Sequence, residues 1–159
     1  MKKSLLWILA CGFVLLRPLP GQDDYLKITA SITPEVIRQG EEGVLTLKIQ
    51  PRENLRISSA PEFVIKLAEN ANLTFSKYFF TASELDFDTE QEGNLVYLAL
   101  DKEITIPFKV NGNSLIGKQQ ILGEVQFTTV FEDHWSLKTF QKFSTAFRSL
   151  RGRNPMPDR

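Results

Sequence analysis

The chain has 159 residues, with 19 Lys and Arg, 19 Asp and Glu and one His, so its formal net charge is zero. One domain is the default at that length, and a balanced charge does not suit a nucleic-acid surface, which would be basic. A single cysteine and a single histidine leave no disulfide framework within the chain and no histidine cluster for a metal.

Residues 1–21 read as a leader. Lys2 and Lys3 are basic, LLWILACGFVLL over 5–16 is apolar, and Arg17 with PLPG breaks the run. A charged start, a short greasy core and a polar breaker make a secretory signal peptide. The run is shorter than the roughly 20 residues a spanning helix needs. Gly21 is the best small residue for the last position removed. An alternative lies in Ile8-Leu9-Ala10-Cys11, which loosely resembles a lipobox; there Cys11 would carry lipid. Cleavage at Gly21 leaves no cysteine, which excludes disulfides and thiol catalysis in the folded body. The expected location is across the inner membrane, in the periplasm or cell envelope. Membrane contact is expected only through a lipidated Cys11 or a retained leader.

In YLKITASIT (25–33), Leu26, Ile28, Ala30 and Ile32 alternate with polar residues, the period of a half-buried strand. Pro34 ends it. RQGEEG (38–43) is a turn, and GVLTLKIQ (43–50) repeats the alternation. Residues 55–62 are short, polar and interrupted by Pro61. FVIKL (63–67) and LTFSKYFF (73–80) each predict a strand, separated by the turn ENAN. TASELDFDTEQEGN (81–94) reads as a solvated loop with at most one short strand. LVYLAL (95–100) and ITIPFKV (104–110) are strands, and Pro107 marks the second as an edge or a bulge. NGNSLIGKQ (111–119) is a turn. ILGEVQFTTVF (121–131) is the longest strand, and HWSLKTFQKFSTAF (134–147) follows with imperfect alternation. Near-regular short strands without a helical pattern predict an all-β sandwich over 22–147. Arg148, Arg151, Arg153 and Arg159, against Asp158, predict a basic disordered tail over 148–159.

The chemistry-bearing residues are few. His134 sits between Asp133 and Trp135, but catalysis needs a positioned partner, and strand neighbours point to opposite faces. FEDH reads instead as a polar hairpin tip, with Trp135 as a candidate contact for a protein partner. Glu84, Asp86, Asp88, Glu90 and Glu92 alternate, yet lack the spacing of a calcium loop; a solvated edge is expected. KYFF (77–80) with Phe87 is expected to pack in the core. No cofactor, metal or nucleic acid is expected, and no enzymatic activity.

Several segments together resemble the N-terminal domain of the bacterial thiol:disulfide interchange protein DsbD. They are ITPEVIRQGEEGVLTLKI (32–49), EITIPFKVN (103–111) and GNSLIGKQQILGEVQF (112–127), with Gly117 and Gly123 at the family's glycine positions. The resemblance spans about 25–147. It implies an immunoglobulin-like sandwich in the periplasm that passes electrons through a cysteine pair in a hairpin. FTTV (127–130) and SLK (136–138) take the places of that hairpin, and Val130 and Ser136 take the places of the cysteines. Neither forms a thiolate, the reacting species in disulfide exchange. The resemblance therefore implies the scaffold without its chemistry. It points to a partner-binding surface of Val130, His134, Trp135 and Ser136. The partner it implies is a thioredoxin-like or membrane electron-transfer protein, with this chain as an accessory that docks it.

Overall fold

The computed structural model describes residues 25–60, 63–131 and 135–153. In chain order the strands are β1 (Leu26–Thr33), β2 (Val36–Arg38), β3 (Glu42–Pro51), β4 (Leu55–Ile57), β5 (Val64–Leu67) and β6 (Leu73–Phe75), then β7 (Phe79–Thr81), β8 (Asp88–Glu92), β9 (Leu95–Ala99), β10 (Ile104–Val110), β11 (Gly117–Phe131) and β12 (Ser136–Leu150). Among the described residues no helix is long and apolar enough to cross a membrane.

Two sheets pack as a sandwich. A four-stranded sheet runs β1-β3-β10-β6; a six-stranded sheet runs β2-β12-β11-β5-β7, with β4 on β11; β8 and β9 form a separate hairpin. Period-two alternation drives each layer. In β3, Leu45, Leu47 and Ile49 face inward; in β11, Ile121, Val125 and Phe127 do the same. Phe63 and Phe127 are almost fully buried between the sheets, and truncating either to Ala would cost about 3–5 kcal/mol.

Pro34 ends β1 and the chain then changes sheets, because β2 pairs in parallel with β12. At Leu26 the open edge of β1 is met by one side chain. The Gln141 amide donates to the Leu26 carbonyl at 2.6 Å, and the Leu26 N–H donates to Gln141 Oε1 at 3.0 Å. Those two bonds stitch the sheets together and occupy backbone groups that an edge would otherwise present.

The structure corrects several boundaries. The apolar run 73–80 is two strands, since β6 pairs β10 in one sheet and β7 pairs β5 in the other. Residues 76–78 carry the chain across. Residues 55–57, too short to stand alone, form β4 because β11 offers a pairing edge. Pro107 lies in an interior strand. Val110 N–H donates to the Glu41 carbonyl on the β3 side, so Pro107, of opposite parity, directs its missing N–H toward β6. β6 reaches only Phe108, so no bond is lost there. The basic tail begins later than position 148. β12 runs to Leu150, Arg148 N–H donates to Glu35, and Arg151 and Gly152 bond to Arg38 and Gln39. The leader with Cys11, the histidine His134 and positions 154–159 lie outside the described residues.

Candidate functional site

β11 and β12 form the longest hairpin in the sandwich, paired residue for residue from Gly117↔Ser149 to Val130↔Ser136. At its far end Phe131 N–H donates to the Trp135 carbonyl at 3.1 Å. That bond makes 131/135 a hydrogen-bonded pair. Val130/Ser136 is then a non-hydrogen-bonded pair, whose Cα atoms stand about 4.5 Å apart. Val130 and Ser136 therefore face each other directly, on one side of the sheet.

An aromatic stack closes this end. The Trp135 ring lies flat on Phe131 at 4.0 Å between centroids and 8° between planes. Phe131 meets Tyr25 edge-on at 6.0 Å. Trp135 keeps 49% of its surface exposed, although its stacking partner is only partly so. Stacking holds the indole in place while leaving one face to solvent.

β4 lies along the other edge of β11 and sets Arg56 opposite Val130. The Arg56 guanidinium sits 4.9 Å over the Tyr97 ring of β9 and pairs with Glu92 of β8. Those contacts pin the β8–β9 hairpin onto the hairpin end. Between them opens a cleft of about 430 Å³, lined by Asn54, Arg56, Tyr97, Val130 and Phe131 among others. Of the sequence-nominated residues, Trp135 and Ser136 are exposed, while Val130 is buried beside Tyr97. Sequence reasoning missed Arg56 and Tyr97. The only signal is Leu55 and Ile57 flanking Arg56 in a segment that reads as short, polar and interrupted by Pro61.

The acidic run is dispersed. Glu84 pairs with Lys77 at 2.6 Å, Asp88 with Lys102 at 2.9 Å, and Glu92 with Arg56. Among the described residues no three His, Cys, Asp or Glu side chains converge as a metal site would require. The Lys77 ammonium, with the Thr81 N–H and hydroxyl, lowers the Glu84 carboxyl to about 2. The Glu84 carboxylate thus accepts from both the backbone N–H and the hydroxyl of Thr81, which closes the turn after β7. The Asp88 carboxylate raises Lys102 above its usual value. In the aromatic segment, Phe80 is buried and Phe87 meets Phe63 edge-on at 5.4 Å, while Phe79 is exposed.

No family model matches the chain, and no curated protein matches it. Among solved structures, the chain is similar to the cohesin module from the Clostridium perfringens ATCC13124 family 33 glycoside hydrolase. The identity is 8%, covering 80% of this chain and 98% of that one, with a TM-score of 0.47. It is also similar to a variant form of BcpA, the major pilin subunit of Bacillus cereus. There the identity is 10%, covering 79% of this chain and 40% of that one, with a TM-score of 0.43.

Proposed function

We propose that the protein is an exported, non-catalytic binding module with an immunoglobulin-like sandwich, and that it grips a protein partner at the end of the β11–β12 hairpin. The strand order supports the finer fold reading. One sheet holds strands in the A-B-E-D arrangement, and the other holds C, F and G together. One observation carries the binding site: a half-exposed Trp135 held flat on Phe131 beside an open cleft. Rigid aromatics beside a pocket are the common anchors of interfaces, because they bury large areas at little entropic cost.

The test is a photo-crosslinking residue at position 136, exposed next to Trp135, in the full chain expressed in its own cells. A single adduct of defined mass is expected, competed by excess wild-type protein but not by Trp135→Ala. No adduct, or the same adduct from a control position at Ser31 on the opposite sheet, would remove the site.

A second reading is favoured by the direct opposition of Val130 and Ser136. In that reading the scaffold of a redox hairpin persists as an accessory of thiol–disulfide exchange and docks a cysteine-bearing partner. The adduct from position 136 would then contain a thioredoxin-like or membrane electron-transfer protein.

A further inference from the structure

The outward face of the six-stranded sheet carries its own chemistry, separate from the hairpin end. The register places Lys118 beside Arg148, Glu124 between Lys66 and Lys142, and Lys138 beside Thr128. β2 adds Arg38 and Val36 on the same side, since Ile37 between them is fully buried. Along β2, β12, β11, β5 and β7, Glu124 is the only acid among the described outward residues, against six cations. Exposed apolar side chains stand singly between those cations. Val36 lies beside Arg148, Phe79 beside Lys66, and Leu122 rims a shallow groove of about 310 Å³ with Lys66 and Lys142. The ten-residue span from Lys138 to Arg148 measures about 33 Å, and five strands measure about 19 Å across.

We propose that this face docks on an anionic lipid surface. Charge complementarity selects an anionic occupant. The dispersion of the apolar groups selects a bilayer over an acidic protein. Protein interfaces gather their anchors into one central cluster. A bilayer needs no such cluster: its anionic headgroups meet cations spread over a broad face, and single apolar side chains can enter the boundary between headgroups and acyl chains. Each cation near an anionic leaflet strengthens binding about fivefold.

The experiment uses the full chain and vesicles of phosphatidylcholine with and without a third of phosphatidylglycerol. Two triple variants are compared, Lys118→Gln/Lys138→Gln/Lys142→Gln and Lys27→Gln/Lys48→Gln/Lys109→Gln. Both remove the same charge from exposed strand positions, on opposite sheets, and both keep residues 1–21. Thermal melts establish that each variant folds. The first triple is expected to lose about a hundredfold in partition onto the anionic vesicles. The second is expected to stay close to wild type. Equal losses in the two triples would overturn the proposal. So would a wild type that does not prefer anionic vesicles, or one that binds soluble polyglutamate while ignoring them. Because Val130, Phe131, Trp135 and Ser136 are unchanged in both triples, failure here leaves the crosslinking result at position 136 standing, and the reverse.

Discussion

The outward faces of the two sheets share one alternation but not one chemistry. On the four-stranded sheet, Thr29 lies opposite Lys48, Ser31 opposite Thr46, Thr46 opposite Thr105, and Lys109 opposite Glu42. Its cations alternate with hydroxyls, one of them sits against an acid, and none of its outward residues is a large exposed hydrophobic. Among the described outward residues, the six-stranded sheet gathers cations around a single acid and exposes Val36, Phe79 and Leu122. The difference shows where the constraints lie. Inward positions of both sheets must be apolar to fill a shared core, so they resemble each other. Outward positions answer only to solvent and partners, so they are free to diverge. A net charge of zero conceals this division completely.

The sheets can be set against each other first through their glycines, where the largest effect is expected. Each sheet pairs a glycine with a phenylalanine across strands: Gly123 with Phe143 and Gly43 with Phe108. A Cβ at Gly123 would meet Phe143 at 2.4 Å and also the Lys66 backbone carbonyl at 2.8 Å. At Gly43 the obstacles are the side-chain ends of Ile37 and Phe108, which can shift. Overpacking should therefore cost about 3 kcal/mol for Gly123→Ala and about 1 kcal/mol for Gly43→Ala, read by denaturant unfolding. Equal costs would dissolve the distinction. Trp135→Ala comes next. It should cost about 1 kcal/mol or less, the worth of one aromatic pair, while removing competition in the crosslinking assay. A larger loss of stability would make Trp135 a structural residue. The smallest effect concerns Glu84. Its folded pKa of about 2 lies below the ordinary 4.5, so its contribution is present above pH 4.5 and fades as pH falls toward 2. The melting-temperature gap between wild type and Glu84→Gln should close over that window. A gap that persists to pH 2 would show that the Lys77 contact does not set it.

Legibility in the sequence followed period two. Residues 26–33, 43–50, 104–110 and 121–131 were readable as strands because one apolar face per strand is written in every second residue. Residues 73–80 were not, because an apolar run that changes sheets looks the same as one that stays. β4 was hidden since three residues carry no periodicity, and its partner edge is supplied from far away in the chain. Arg148 and Arg151 read as a solvated tail, yet Phe147 and Ser149 between and before them point inward and continue the strand. At the hairpin end the sequence itself offers Trp135, a tryptophan next to the polar tip FEDH, whereas Arg56 and Tyr97 become visible only once β4 and β9 are brought beside Val130. The basic face likewise depends on register, which no single strand reveals.

Both the hairpin end and the basic face rest on one register, since a slip of one residue would turn every lysine of β12 inward and separate Val130 from Ser136. The direct measurement is intact mass after air oxidation of Val130→Cys/Ser136→Cys, with Val130→Cys/Leu137→Cys as the slipped control, both carrying Cys11→Ser so that no third thiol is present. Non-hydrogen-bonded pairs lie within the Cα range of about 4.4–6.8 Å that a disulfide spans. The first variant should close to an intramolecular disulfide and the control should keep two free thiols. Closure of the control, or two free thiols in the first variant, would contradict the register and both surfaces with it.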